Sequence, residues 1–251
     1  MTVRIDLSYD GTDFHGFARQ PDVTTVEGTI TAALQTILGP VEIVVAGRTD
    51  AGVHARHQVL SLEAPNVDIE RLAGSLNRML PSSIAVHRAL LEPDGFSARF
   101  DAIRRTYRYF IDRSTVPSPF ASRYSWHSGY SLDVERMEQA AAHLVGVHDF
   151  ASFCRRAPGR SMVRQVFSAD FSEEGSNLVF EVVGRAFCHQ QIRSFVAFLV
   201  EVGRGRREPG TIAEALEARD RSVAAGAAPS KGLFLWEIRY PSELAEAPDL
   251  P

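Results

Sequence analysis

Residues 41–64 read VEIVVAGRTDAGVHARHQVLSLEA. Two runs rich in β-branched and aliphatic residues, Val41–Ala46 and Arg56–Glu63, have the character of strands. Between them lies a polar stretch with an arginine, an aspartate, two glycines and a histidine. A two-residue loop is enough to join antiparallel strands. A connection this long and this mixed therefore needs a reason other than turning the chain.

The flanks of this ββ pair set the fold. Upstream, Val3–Tyr9 alternates as a strand, with Val3, Ile5, Leu7 and Tyr9 on one face and Arg4, Asp6 and Ser8 on the other. Val26–Leu38 has a helical apolar stripe, with Thr25 as N-cap and Gly39 as stop. Downstream, Asp68–Leu80 carries Ile69, Leu72, Ala73, Leu76 and Leu80 on one stripe and ends at Pro81, and Ile84–Leu91 is a further strand. The order is βαββαβ, that of ferredoxin-like folds. The same order recurs in strand Arg105–Asp112, helix Leu132–Val145 closed by Gly146, strands Val163–Phe171 and Leu178–Phe187, helix Gln190–Val202 and strand Leu233–Tyr240. A short extra helix, Thr211–Arg219, lies before the last strand. The expectation is an α+β protein of two tandem ferredoxin-like halves, residues 1–100 and 101–251. Their antiparallel sheets would lie side by side with a central RNA-binding cleft, since the open face of such sheets can hold RNA.

A chain of 251 residues with 45% hydrophobic residues can build such a core. The N-terminus lacks a basic region followed by an apolar stretch, and the apolar run around Phe195–Val200 is too short to span a bilayer. These features suggest a soluble, cytoplasmic protein without a membrane partner. Cys154 and Cys188 form no CxxC pattern and are expected to be small core residues rather than a bridge. The net charge of −4 conceals a gradient: residues 99–207 hold 16 basic and 11 acidic side chains, whereas residues 1–98 hold 7 and 12. A basic middle suits a polyanionic partner.

Three readings of the connecting loop stay open on its residues alone. It can be a surface turn, because Thr, Asp and Gly favour turns. It can be a metal site of a hydrolase, because Asp50, His54 and His57 are the kinds of side chain that ligate zinc or iron. Strand character after His54 would, however, put the two histidines on opposite faces. It can also present a catalytic carboxylate without a metal, with Gly47 and Gly52 allowing close approach of a partner and Arg48 and Asp50 pointing to one side.

AGRTDAGVHA (46–55) resembles the signature of the tRNA pseudouridine synthase A family. So, in order, do YDGTDFHGFARQ (9–20), NRMLP (77–81), FSARFDA (96–102), RRTYRY (104–109), HDFASF (148–153), FCHQQIRS (187–194) and KGLFL (231–235). The resemblance implies conversion of uridine to pseudouridine at positions 38, 39 and 40 of the tRNA anticodon stem-loop. It implies an isomerase with no cofactor and no metal, working as a homodimer. Asp50 matches the essential aspartate. Arg193 matches the arginine paired with it, and Tyr107 the tyrosine packed on the flipped uracil. Arg48 matches the arginine that intrudes into the RNA, and Leu233 helps wall the base pocket. Arg104, Arg105, Arg155, Arg156, Arg160 and Arg164 are candidate phosphate contacts from the basic middle. Phe17, Ala18 and Gln191 depart from the family pattern, where Trp, Gln and Met are usual. The alternatives from other classes are the metal-dependent hydrolase and an RNA-binding module without catalysis.

Overall fold

The computed structural model describes residues 1–65, 67–155, 159, 161–224 and 226–244. The chain forms two compact units, Met1–Arg105 with the segment from Phe234 onward, and Thr106–Leu233. The expected boundary at residue 100 thus lies five residues early. The strand expected to close the second half instead groups with the first unit from Phe234 onward.

The first unit contains β1 (Thr2–Tyr9), α1 (Val26–Leu38), β2 (Val44–Val45), β3 (His54–Glu63), α2 (Ile69–Met79), β4 (Ile84–Glu92) and most of β10 (Leu233–Arg239). The strand order is β4-β1-β3, and β2 also pairs with β3. β1 is antiparallel to both neighbours, with Ile5 opposite Leu60 on β3 and Ala89 on β4. β2 pairs with the far end of β3 at Ser61 and Leu60, and β10 runs parallel to its start at His54 and Ala55. Sheets of purely antiparallel strands, as expected from the sequence, are therefore not what forms. Val3, Ile5 and Leu7 are buried, as are Ile30 and Leu34 of α1 and Leu72 and Leu76 of α2. Each such aliphatic side chain contributes about 1.5–3 kcal/mol. α1 starts where the Thr25 side chain accepts the Gly28 N–H and ends at Gly39, whose φ of 77° a Cβ would disfavour. The expected strand at Val41–Ala46 shrinks to two residues.

The opposite face of β1 departs from its polar pattern, because Arg4 and Asp6 are both buried. Arg4 Nε donates to Asp6 Oδ1 at 2.7 Å, its Nη2 lies 2.6 Å from Glu243 Oε1, and its guanidinium sits 4.6 Å from the Tyr240 ring centroid. Arg88 Nε donates to Asp6 Oδ2 at 2.7 Å. His57 accepts the Ile238 N–H at Nδ1, leaving Nε2 to donate to Asp6 at 3.3 Å. The residues after β10 therefore cap this face, which a reading of β1 alone could not show.

The second unit contains β5 (Arg104–Asp112, apart from its first two residues), β6 (Trp126–His127), α3 (Val134–Ala142), β7 (Gly146–Asp149), β8 (Val163–Glu174), β9 (Asn177–Gly184), α4 (Gln191–Gly203) and α5 (Thr211–Ala218). The sheet order is β5-β9-β8-β7, and β6 runs parallel to β5. α3 is shorter than its apolar pattern suggested, and Gly146 opens β7 rather than merely stopping a helix. At Gly203 a Cβ would lie 2.5 Å from Met137 Sδ, so the missing side chain allows α3 and α4 to approach. Phe150, Phe153, Phe195 and Phe198 meet edge-on, with centroids 5.2–5.8 Å apart. Contrary to expectation, Cys154 and Cys188 are joined as a disulfide, with Cα atoms 5.8 Å apart. Spacing along the chain could not reveal a pair brought together by tertiary structure.

Burial of Asp6 alone would raise its pKa. Hydrogen bonds from His57, Arg4 and Arg88 instead hold it well below the ordinary carboxylate range. Asp6→Asn should lower unfolding free energy by about 3 kcal/mol in denaturant titration, because Arg4 loses a buried counter-charge. A carboxylate with a depressed folded pKa stabilises fully above its unfolded value and loses that contribution as pH falls. Wild-type Tm should therefore drop as pH is lowered through about 4, and more steeply than for Asp6→Asn.

Candidate active site

The loop between β2 and β3 is held by hydrogen bonds at most of its residues. Arg105 Nε and Nη2 both donate to the Ala46 carbonyl, at 3.1 and 2.9 Å. Gln58 Nε2 donates to the Gly47 carbonyl at 2.6 Å. Thr49 Oγ1 lies 2.8 Å from the Tyr9 hydroxyl, and the Thr49 carbonyl accepts the Phe17 N–H at 3.0 Å. The Asp50 carbonyl accepts the Val53 N–H at 3.1 Å, closing a turn, and the Gly52 N–H reaches the Phe14 carbonyl at 3.3 Å. Ala46, Gly47, Thr49, Asp50 and Gly52 are thereby each tied down by a hydrogen bond. Asp50 is half-buried at the turn, and Arg48 is exposed.

The partner of this loop is the segment after β1. At Gly16, φ is 93° and a Cβ would lie 3.1 Å from the Thr49 carbonyl oxygen and 3.3 Å from Ala51 N. At Gly11 a Cβ would overlap the Val53 carbonyl oxygen. Both glycines of YDGTDFHG are therefore required by the approach of the aspartate loop. His54 Nδ1 lies 3.1 Å from both Gly11 N and Asp10 Oδ1. One nitrogen cannot accept from the first and donate to the second. The Gly11 N–H needs an acceptor, whereas the Asp10 carboxylate already accepts from Thr12, so Nδ1 is the acceptor here.

The histidines of the metal-site reading have roles within the first unit. His54 is buried against the Phe234 ring, with centroids 4.6 Å apart, and both nitrogens of His57 serve Ile238 and Asp6. Among the described residues, no group of three His, Cys, Asp or Glu side chains is placed to hold a metal ion.

In the second unit Tyr107 is mostly buried, 7% exposed, with its ring edge-on to Phe187 at 5.4 Å. Thus β5 and the FCHQQIRS segment meet at that tyrosine. Arg193 leaves the first turn of α4, where its Nε donates to the Ala228 carbonyl at 2.7 Å and its own carbonyl accepts the Ala228 N–H at 2.9 Å. The Nε bond fixes the plane of the guanidinium. Tyr109, two residues beyond Tyr107, is wholly buried and donates to the Pro229 carbonyl at 2.8 Å. Burial pushes its hydroxyl pKa upward, and the nearby Arg193 charge opposes this. Leu233 is buried directly after Gly232, where a Cβ would meet the Tyr109 ring at 2.8 Å. Gln191 accepts the Cys188 N–H and so caps the entry to α4.

The arginines divide into distinct environments. Arg104 and Arg155 are exposed. Arg105 is 7% exposed, and its donors face the carbonyls of Ala46, Arg99 and Ala102. It is a framework residue, which corrects its expected role as a phosphate contact. Arg164 is half-buried and donates to the Ser161 and Val163 carbonyls. Arg156 and Arg160 lie outside the described residues. Sequence reasoning missed Tyr9 and Gln58 as supports of the loop. A glutamine at a buried strand position close to a charged loop was the available signal.

A family model described as tRNA pseudouridine synthase matches residues 7–101 and 140–241. The protein named tRNA pseudouridine synthase A from Brevibacillus brevis is 43% identical over 242 residues, covering 95% of this chain and 99% of that protein. Its namesake from Moorella thermoacetica is 42% identical over 243 residues, covering 95% and 99%. The Bacillus subtilis protein of the same name is 37% identical over 245 residues, covering 96% and 99%. With matches of this extent through both compact units, the chain belongs to the tRNA pseudouridine synthase family.

Proposed function

We propose that this chain isomerises uridine to pseudouridine in tRNA, at positions 38, 39 and 40 of the anticodon stem-loop, with Asp50 as the essential carboxylate. The observation that carries this reading is the loop itself: a half-buried carboxylate on a backbone held on both sides, in a family whose members bear this activity in their names. The strand order of the first unit, with β2 outside β3, supports the finer description of the fold as ferredoxin-like.

In the reaction the N1–C1′ bond breaks, the uracil turns while bound, and C5 bonds to C1′. The hydrogen leaves C5, and N1 ends protonated, so the change is an isomerisation with no redox step. A carboxylate at the sugar serves it either by attacking C1′ or by removing a sugar proton to give a glycal. In both routes Asp50 must be ionised, and closing a site over RNA would oppose that by desolvation. Arg193 is the cation assigned to offset it. Tyr107 offers a ring for the flipped uracil, and Arg48 reaches into the RNA to keep the base extruded, a step that costs a few kcal/mol. Leu233 completes the apolar wall. Arg104 and Arg155, both exposed, are the described candidates for phosphate. A homodimer acting in the cytoplasm completes the proposal. Among the described residues no helix is long and apolar enough to cross a membrane.

Incubation with unmodified tRNA, followed by nucleotide-resolution mapping, should show pseudouridine at the anticodon-stem uridines. Asp50→Asn should slow its formation by roughly 10²–10⁴-fold or more while tRNA still binds. Binding without product in the wild type would favour the RNA-binding module instead. Tyr107→Ala should lower the rate or affinity by about 1–3 kcal/mol, the scale of one base–aromatic stack, whereas Tyr107→Phe should retain the stack.

A further inference from the structure

We propose that Tyr9, Thr49 and Gln58 act as one positioning unit for Asp50. The inference rests on the reading of Asp50 as the reacting carboxylate and adds the residues that hold it. Tyr9, Thr49 and Gln58 are 4%, 8% and 0% exposed. They are polar groups withdrawn from water, so their hydrogen bonds carry consequences for whatever they hold. Gln58 Nε2 donates to the Gly47 carbonyl at 2.6 Å and to the Tyr9 oxygen at 3.4 Å. The Tyr9 oxygen thus accepts from Gln58 and shares a hydrogen bond with Thr49 Oγ1 at 2.8 Å. The Gln58 Oε1 accepts the Val59 N–H at 3.2 Å, which fixes the orientation of the amide.

The chain of bonds therefore runs from β3 through the last residue of β1 to the residue immediately before Asp50. It grips the loop at Gly47 and Thr49, on either side of Arg48. Filling space does not require it. Val3, Ile5 and Leu7 precede Tyr9 on the same face of β1 with no polar atom, and a phenylalanine at position 9 would supply the same ring. What the hydroxyl adds is a fixed position for Thr49. The Tyr9 ring also packs against Phe17, with centroids 6.2 Å apart, and the Phe17 N–H holds the Thr49 carbonyl. Thr49 is thus held through both its side chain and its backbone, and both holds lead back to Tyr9. A carboxylate that must meet one sugar atom tolerates little displacement, and an error of about 1 Å can cost 10²-fold in rate.

The test uses the full chain with unmodified tRNA. Single-turnover rate, tRNA Kd and thermal unfolding are measured for wild type, Tyr9→Phe, Thr49→Val, Thr49→Ser and the Tyr9→Phe/Thr49→Val double variant. The two near-isosteric deletions should each slow the chemical step by about tenfold or more while Kd stays within about twofold. The double variant should be no slower than the slower single by more than about twofold, because one chain of bonds is broken once. Thr49→Ser, which keeps the hydroxyl, should recover most of the rate. The proposal is overturned if either deletion keeps the wild-type rate, if the loss appears in Kd alone, if the two losses multiply, or if Thr49→Ser is as slow as Thr49→Val. Should Tyr9→Phe not fold, the Thr49→Val and Thr49→Ser comparison decides alone. A wild type that forms no pseudouridine would instead end the reading of Asp50 itself, a result distinct from an active wild type with unaffected variants.

Discussion

The constraint on which the first unit's site depends is the anchoring of residues 46–53 to buried polar groups. A loop of this length left to water would sample many conformations, and ordering each residue costs about 1–2 kcal/mol of backbone entropy. Here the ordering is completed at folding. Arg105 holds Ala46, Gln58 holds Gly47, Tyr9 and Phe17 hold Thr49, and the Asp50–Val53 turn closes on itself. The Asp50 backbone is thus ordered on folding, which a preorganised site of the kind proposed requires. The consequence is a set of steric demands on the facing segment, met at Gly11 and Gly16, where any Cβ would meet loop backbone.

The second constraint is a buried charge cluster on the other face of β1. Arg4 and Asp6 are a paired charge at the centre of a sheet, and His57, Arg88 and Glu243 complete their coordination. His57 belongs to the same stretch as the aspartate loop but serves this cluster and the backbone of β10. Both histidines of the stretch make hydrogen bonds within the first unit. His54 ties the loop to Gly11, and His57 ties β3 to the strand that joins the first unit from the far end of the chain. Such pairs add little net stability, since desolvating the charges offsets much of their attraction, but removing one partner leaves a buried charge uncompensated.

The sequence made the main elements legible wherever periodicity and caps agreed. α1 spans the residues its stripe and Thr25 cap indicate, and α2 follows Asp68 as its cap. It failed where tertiary contacts decide. β2 keeps only two paired residues despite a longer β-favouring run, and the pairing of β10 with β3 and of Cys154 with Cys188 depends on segments distant in the chain. For the candidate site, residue types and the ordered motifs singled out the loop and Asp50. The burial of Arg105 was not, because a run of arginines does not say which side chain points inward. Tyr9 read as one more apolar position of β1, since alternation records the ring and not its hydroxyl.

The central claim is that this chain breaks and remakes the glycosidic bond of tRNA uridines through Asp50. The isomerisation expels the hydrogen from C5, so tRNA labelled with tritium at uridine C5 gives a direct readout. The account predicts tritium release into water by wild type, limited to tRNAs carrying uridine at positions 38 to 40 and abolished in Asp50→Ala. Absence of release from such a tRNA, or release undiminished in Asp50→Ala, would contradict it.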